Sequence, residues 1–281
     1  VGYGDKLMAL GDAEALSHDG RLVAIGDGTR VDWCSLSEGL PFLATQQKVD
    51  EGWEEINWVH SYPSNRPYID YEAMRKALEY NCIMPPRKPK HLVKLLGRYI
   101  WKSDYRPRPA PIVFNDREQE IIDRWSRQDF VCVEPFIKPK APVNKQWDLG
   151  RYRELIRRLS REVRVVQLSA PVHIETFPGA VRAKPESFRQ AIAYLAASKG
   201  YIGAEGGLHH GAAAARKPAV VLFGGFVDPL VTGYETHTNL TGGADHFCGS
   251  RARACPHCQE AMNNISVDEV FGQSMRMING D

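Results

Sequence analysis

Asp5 closes a Gly-Tyr-Gly-Asp turn directly before an apolar run, Lys145 follows Asn144 in a loop rich in proline and lysine, and Glu205 begins the segment EGGLHHG. A carboxylate after a glycine turn stands either as the cap of the following helix or as a general base that takes a proton from a hydroxyl. A lysine between a strand and a helix is either a solvated surface charge or a partner for phosphate, because an ammonium is a compact cation for anionic oxygen. Gly206 and Gly207 precede an alanine-rich helix that begins near Leu208. Unpaired N–H groups and the positive helix end would therefore meet a phosphate there, with Glu205 set to accept from ribose hydroxyls. His209 and His210 on that helix are core or capping residues as readily as catalytic ones.

These residues need elements to hold them. Short apolar runs followed by helix-patterned stretches recur along the chain, which predicts an α/β fold with mainly parallel strands. Strands are expected over residues 21–26, 56–60, 130–135, 163–168, 201–204 and 219–223, and helices over residues 6–16, 71–80, 117–127, 149–159 and 185–198. The helix from Leu149 is clearest: Asp148 caps it, while Tyr152, Leu155, Ile156 and Leu159 recur at helical spacing with arginines on the other face. Residues 201–223 read as strand, glycine turn, helix, Lys-Pro stop and buried strand, a complete βαβ element. Proline and basic residues crowd residues 85–111, so two domains are expected: residues 1–115 and 128–281, joined by a linker helix near 116–127.

Composition sets outer limits. With 281 residues, 43% hydrophobic and 25% charged, the chain reads as a soluble globular protein. A net charge of +2 excludes a general polyanion binder, so an anionic partner must meet a local patch. The apolar runs fall short of the roughly 20 residues of a spanning helix. Val1 leads straight into the glycine turn with no basic and apolar leader, and a first strand is expected to be cut short there. Six sparse cysteines point to a reduced, cytoplasmic protein.

The run from Tyr201 to Gly233 resembles the carboxyl-terminal signature of family 9 glycosyltransferases, the bacterial heptosyltransferases of lipopolysaccharide assembly and their relatives. The matching residues are Glu205, Gly207, Leu208, His210, Phe223, Gly224, Asp228 and Pro229. NKQWDLGRYRELIRRL is similar to the family's loop and helix with a phosphate-contacting lysine before a tryptophan, and GYGD to its opening glycine-aspartate loop. The cysteine-containing tail near CPHC is also similar. Three positions depart from the pattern: Glu205 replaces an aspartate, Gly206 a threonine, and FGGFVDP stands for FGPTDP.

The resemblance implies a GT-B fold, two Rossmann-like lobes with mainly parallel sheets facing each other across a cleft. It also implies an inverting, metal-independent transfer of a sugar from a nucleoside diphosphate to an acceptor hydroxyl, an ADP-sugar being the favoured donor. Asp5 would be the base and Lys145 would stabilise the leaving diphosphate. Gly4, Asn144, Glu205, Gly206, Gly207, Leu208, His210 and Asp228 would bind the donor. No cofactor is required in such a reaction, and the product would belong to lipopolysaccharide or another surface glycan.

Other groups give rival expectations. Cys248, Cys255 and Cys258 with His257 have the ligand types and the two-residue spacing of a structural zinc site. The basic segment Arg87, Lys88, Lys90, Lys94, Arg98, Lys102, Arg106 and Arg108, interleaved with Tyr99, Trp101 and Tyr105, fits an anionic glycolipid or glycan acceptor at the membrane's inner face, a nucleic acid, or a plain solvated face. Trp33, Trp53, Trp58, Tyr62, Tyr68 and Tyr71 read as core rather than site. A homologue that binds nucleotides or glycans without catalysis is the competing class. A dinucleotide loop at Gly26-Asp27-Gly28 is excluded, because Val31 stands where GxGxxG needs glycine.

Overall fold

A computed structural model of the chain describes residues 2–52, 55–60, 66, 68–85, 89–139, 141–250 and 253–280, with 89 and 90 described by backbone alone. Trp53, Tyr62, Arg87, Lys88 and the Lys90 side chain lie outside the described residues.

The chain opens with α1 (Tyr3–Leu16), in which Leu7, Met8, Ala9, Leu10 and Ala13 are all buried. A helix apolar on most sides must be enclosed, and α1 is sandwiched between the two halves of the molecule. It packs against β1 (Val23–Gly26) on one side and a helix of the second half on the other. After α2 (Gln46–Asp50), β2 (Asn57–His60) pairs in parallel with β1, Val23 opposite Asn57. Next come α3 (Tyr71–Tyr80) and α4 (Pro89–Leu96), which pack together, and α5 (Asp116–Trp125), whose amino end is closed by a capping box between Asn115 and Glu118.

The second half is a six-stranded sheet. Its elements are β3 (Phe130–Glu134), α6 (Leu149–Leu159), β4 (Arg164–Gln167), β5 (Ala180–Arg182), α7 (Phe188–Ala197), β6 (Tyr201–Ala204), α8 (Gly207–Ala214), β7 (Ala219–Leu222), α9 (Pro229–Thr232), β8 (His237–Leu240), α10 (Pro256–Asn264) and α11 (Val267–Asn279). The strands run β5-β4-β3-β6-β7-β8, every neighbouring pair parallel. This is the doubly wound order, with helices on both faces.

Both faces are therefore apolar. Phe130 and Cys132 point into one buried cluster with Leu195, Leu208 and Ala212, and Val131 and Val133 into another with Trp147, Leu155, Ile156 and Val270. Such strands read as unbroken apolar runs because neither side meets water. The expected α/β architecture with parallel sheets is present. Its two sheets are unequal: among the described residues the first half pairs two strands and the second six.

The halves are tied by a buried ion pair. Arg189 on α7 donates to both Glu118 oxygens, at 2.7 and 2.6 Å, and also to the carbonyls of Ser35 and Val113. One guanidinium thus satisfies acceptors from two separate stretches, at residue 35 and at residues 113–118.

Candidate active site

In a doubly wound sheet the connections leave in opposite directions from the two central strands, opening a crevice at their carboxyl ends. Here those strands are β3 and β6, and the crevice is closed over by α1. Glu134 ends β3, and Glu205 follows β6 directly. The amino ends of α1 and α8 meet above them through glycines: a Cβ on Gly4 would stand 2.7 Å from His210 Cδ2 and 3.6 Å from the Gly207 Cα. Tyr3 stacks on Phe188 of α7 with centroids 4.3 Å apart, fixing the start of α1. Two positive helix ends thereby point into one cavity of about 390 Å³, lined by Asp5, Glu134, Lys138, Lys145, Glu205 and His210 among others.

Lys145 closes a short 3-10 turn, and the residues on either side of it hold that turn in place. The Asn144 amide donates to the carbonyls of Ser250 and Arg253, at 2.8 and 3.0 Å, and its oxygen accepts from the Cys255 N–H. Trp147 is wholly buried and donates to the Ile265 carbonyl at 3.0 Å. From this support the Lys145 ammonium reaches the Glu205 carboxylate and lies 4.9 Å from the centre of the Phe226 ring. Burial pushes the Glu205 carboxyl up, but the Lys145 charge and the neighbouring His210 ring outweigh it and hold the group well below the usual carboxylate range.

Asp5 lies in the first turn of α1, not at its cap, because the helix begins three residues earlier than its apolar run predicts and Gly2 takes the cap position. Its carboxylate is left for the cavity. The Tyr68 hydroxyl donates to one oxygen, and the Arg66 guanidinium stands 3.4 Å from the other. Burial and the neighbouring Asp5 charge hold the Tyr68 phenol well above its ordinary value, so it remains a donor.

Behind the cavity lies a buried histidine group. His210 shares a hydrogen bond with the Tyr234 hydroxyl at 2.9 Å, and its other nitrogen is 3.8 Å from Glu205. Burial holds His209 well below the usual histidine range and His237 at about 4, so both rings are neutral at physiological pH.

Of the residues singled out in the sequence, Gly4, Asp5, Lys145, Glu205, Gly206, Gly207 and His210 line one cavity. Leu208 is buried in the core beneath it. Asn144 and Asp228 are not among the lining residues: Asn144 is committed to the cysteine loop, and Asp228 caps α9 by accepting from the Leu230 N–H at 2.8 Å. Arg66, Tyr68, Glu134 and Lys138 also line the cavity and were not singled out. Only the position of Glu134 at the end of an apolar strand and of Lys138 just after it could have flagged them; Arg66 and Tyr68 come from a stretch without periodicity.

The basic segment divides by side. Lys94, Arg98, Lys102, Arg106 and Arg108 are exposed, whereas Tyr99 and Trp101 turn inward to line the cavity and Tyr105 donates to Asp12 at 3.1 Å. The interleaved rings are not an exposed stacking surface, as a nucleic-acid strand would need. Among the described residues no helix is long and apolar enough to cross a membrane.

Among the described residues three groups have metal-ligand chemistry, the third being Asp245, His246 and His257. The sulfurs of Cys248, Cys255 and Cys258 lie within 4.8 Å of one another, a set suited to zinc or iron. His257 does not join them: it stacks on His246 with centroids 3.8 Å apart and faces Asp245, which correct the four-ligand expectation to three converging thiols. Glu205, His209 and His210 also converge, but Glu205 is taken by Lys145 and His210 by Tyr234.

No protein-family model matches the sequence, and no curated protein does. Solved structures do match. A family 9 glycosyl transferase from Veillonella parvula DSM 2008 superposes with a TM-score of 0.62 at 12% identity, over 100% of this chain and 96% of that one. The E. coli heptosyltransferase WaaC, solved with ADP, gives 0.54 at 14% identity, over 99% and 97%. The iron-containing dodecameric glycosyltransferase TibC from enterotoxigenic E. coli H10407 gives 0.59 at 16% identity, over 100% and 74%. The chain shares the GT-B fold of these proteins.

Proposed function

We propose that this protein is a glycosyltransferase that moves a sugar from a nucleoside diphosphate to an acceptor hydroxyl. One observation carries the reading: Asp5, Lys145, Glu205 and the amino end of α8 line a single cavity, although they lie far apart in the chain. A base, a cation, a ribose acceptor and a phosphate-binding helix end are the groups that such a transfer needs. The shared fold, and the ADP held by one of the similar structures, support the same reading.

In this reading Asp5, oriented by Tyr68 and Arg66, takes the proton of the acceptor hydroxyl as it attacks the anomeric carbon, inverting it. The glycosidic bond to the diphosphate breaks, and the charge that develops there is met by Lys145 and by the N–H groups of Gly207 and Leu208. Glu205 holds Lys145; donor ribose hydroxyls would compete for that carboxylate and release the ammonium to the phosphates. No resident metal takes part in these steps. Residues 1–115 would serve as the acceptor side and residues 128–281 as the donor side, with the helix near 116–127 between them. The exposed row Lys94, Arg98, Lys102 and Arg106 suits an anionic glycolipid or glycan acceptor, at a cytoplasmic membrane surface in lipopolysaccharide or other surface-glycan synthesis.

The test is transfer from ADP-, UDP-, GDP- and CDP-sugars to lipooligosaccharide acceptors. Asp5→Asn and Lys145→Ala, both folded, are expected to lose activity by about 100-fold or more. Full activity in both overturns the assignment.

A further inference from the structure

Glu134 stands at the crevice, opposite Gly203 in the register between β3 and β6. Its Oε2 accepts a hydrogen bond from the Tyr201 hydroxyl at 2.8 Å. This contact depends on a missing side chain. Tyr201 runs along its own strand past Gly203 to reach Glu134, and a Cβ on Gly203 would stand 2.2 Å from the Tyr201 oxygen. Burial holds the Tyr201 phenol well above its ordinary value, which keeps it a donor.

Asp5 has Arg66 beside it and Glu205 has Lys145, whereas Glu134 has no cation within salt-bridge distance among the described residues. Its second oxygen is left to the cavity. Burial pushes its carboxyl up to about 7, partly opposed by Tyr201 and by the charge of Lys138. Glu134 is half-buried and lines the cavity; in its ionised form the free oxygen only accepts, and a phosphate, itself an anion, cannot supply the donor. A sugar hydroxyl can. Adjacent strands are about 4.8 Å apart, so a sugar joined to a diphosphate at the amino end of α8 falls within reach of the end of β3.

We propose that Glu134 determines specificity by accepting a hydrogen bond from a hydroxyl of the donor sugar, with Tyr201 as its positioning residue and Gly203 as the gap that lets Tyr201 reach it. This rests on the glycosyl-transfer reading above. The test is calorimetric titration of the intact protein with ADP, UDP, GDP and CDP, each alone and as its glucose conjugate, read as the preference for conjugate over nucleotide. Glu134→Leu is expected to lower that preference about 10-fold while leaving affinity for the nucleotide within twofold. Tyr201→Phe and Gly203→Ala should lower it less, and Glu134→Gln, which keeps an acceptor oxygen, least. An unchanged preference in Glu134→Leu, or an equal loss of affinity for nucleotide and conjugate, overturns this inference alone. Failure of the wild-type protein to bind any of the eight compounds overturns the underlying reading as well.

Discussion

Lys145 and Glu205, 60 positions apart, form an ion pair whose carboxylate side is 6% exposed and whose ammonium side is 17% exposed. Breaking such a pair by removing one partner leaves a charge without compensation. Lys145→Met is expected to lower stability by about 3 kcal/mol at pH 7, read by urea unfolding. Because the Glu205 carboxyl is held below its usual range in the folded protein, the pair's contribution is present above the unfolded carboxylate value and lost as pH falls beneath it. In the variant Glu205 stays buried without its cation and takes up a proton as pH falls, so the deficit should shrink towards pH 4. A deficit independent of pH contradicts the pairing.

Tyr68 donates to Asp5 from a segment far along the chain. Removing the hydroxyl leaves the carboxylate in place but less well oriented. Tyr68→Phe is expected to reduce kcat by about 10-fold with little change in the KM for donor, measured by nucleotide release. An unchanged kcat excludes an orienting role.

Asp12 titrates in the opposite sense to Glu205. Burial pushes its carboxyl up to about 6, against the Tyr105 hydrogen bond and the charges of Arg108 and Lys102. An acid with a higher pKa folded than unfolded binds more protons when folded, so its ionisation destabilises. The penalty is complete above about pH 6 and absent below the unfolded value of about 3.9. Asp12→Asn should gain about 1–2 kcal/mol at pH 7.5 and nothing near pH 4. Thermal melts at the two pH values check it, and a loss at pH 7.5 contradicts it.

Arg189 and Glu118 clamp the two halves. Arg189→Ala strands a buried carboxylate and the Ser35 and Val113 carbonyls, at an expected cost of about 3–5 kcal/mol. The double change with Glu118→Ala should cost less than the sum of the single changes, since it removes both charges. Additive costs would mean that the two side chains do not interact.

The second half was legible because its signals are local. Asp148 accepts from the Arg151 N–H and starts α6 where the sequence places it, and residues 201–222 form the expected βαβ unit. β5 and β8 escaped notice: Ala180–Arg182 is only partly buried and His237–Leu240 is mostly polar, so neither shows an apolar run. Asp5 and Lys145 stood out by glycine and proline context. Tyr68 did not, because its role depends on burial beside α1, and an aromatic residue outside any periodic pattern reads as core. The loop position of Asn144 suggests a ligand contact, and in the structure its amide meets three backbone groups.

The most direct measurement is thermal-shift titration of the wild-type protein and Lys145→Ala with ADP-, UDP-, GDP- and CDP-sugars, since a ligand of the native state raises its melting temperature. One nucleotide series is expected to raise the wild-type Tm in a saturable way and to shift Lys145→Ala far less at the same concentrations. No shift with any of the four, or equal shifts in the two proteins, would contradict a donor site at Lys145 and Glu205.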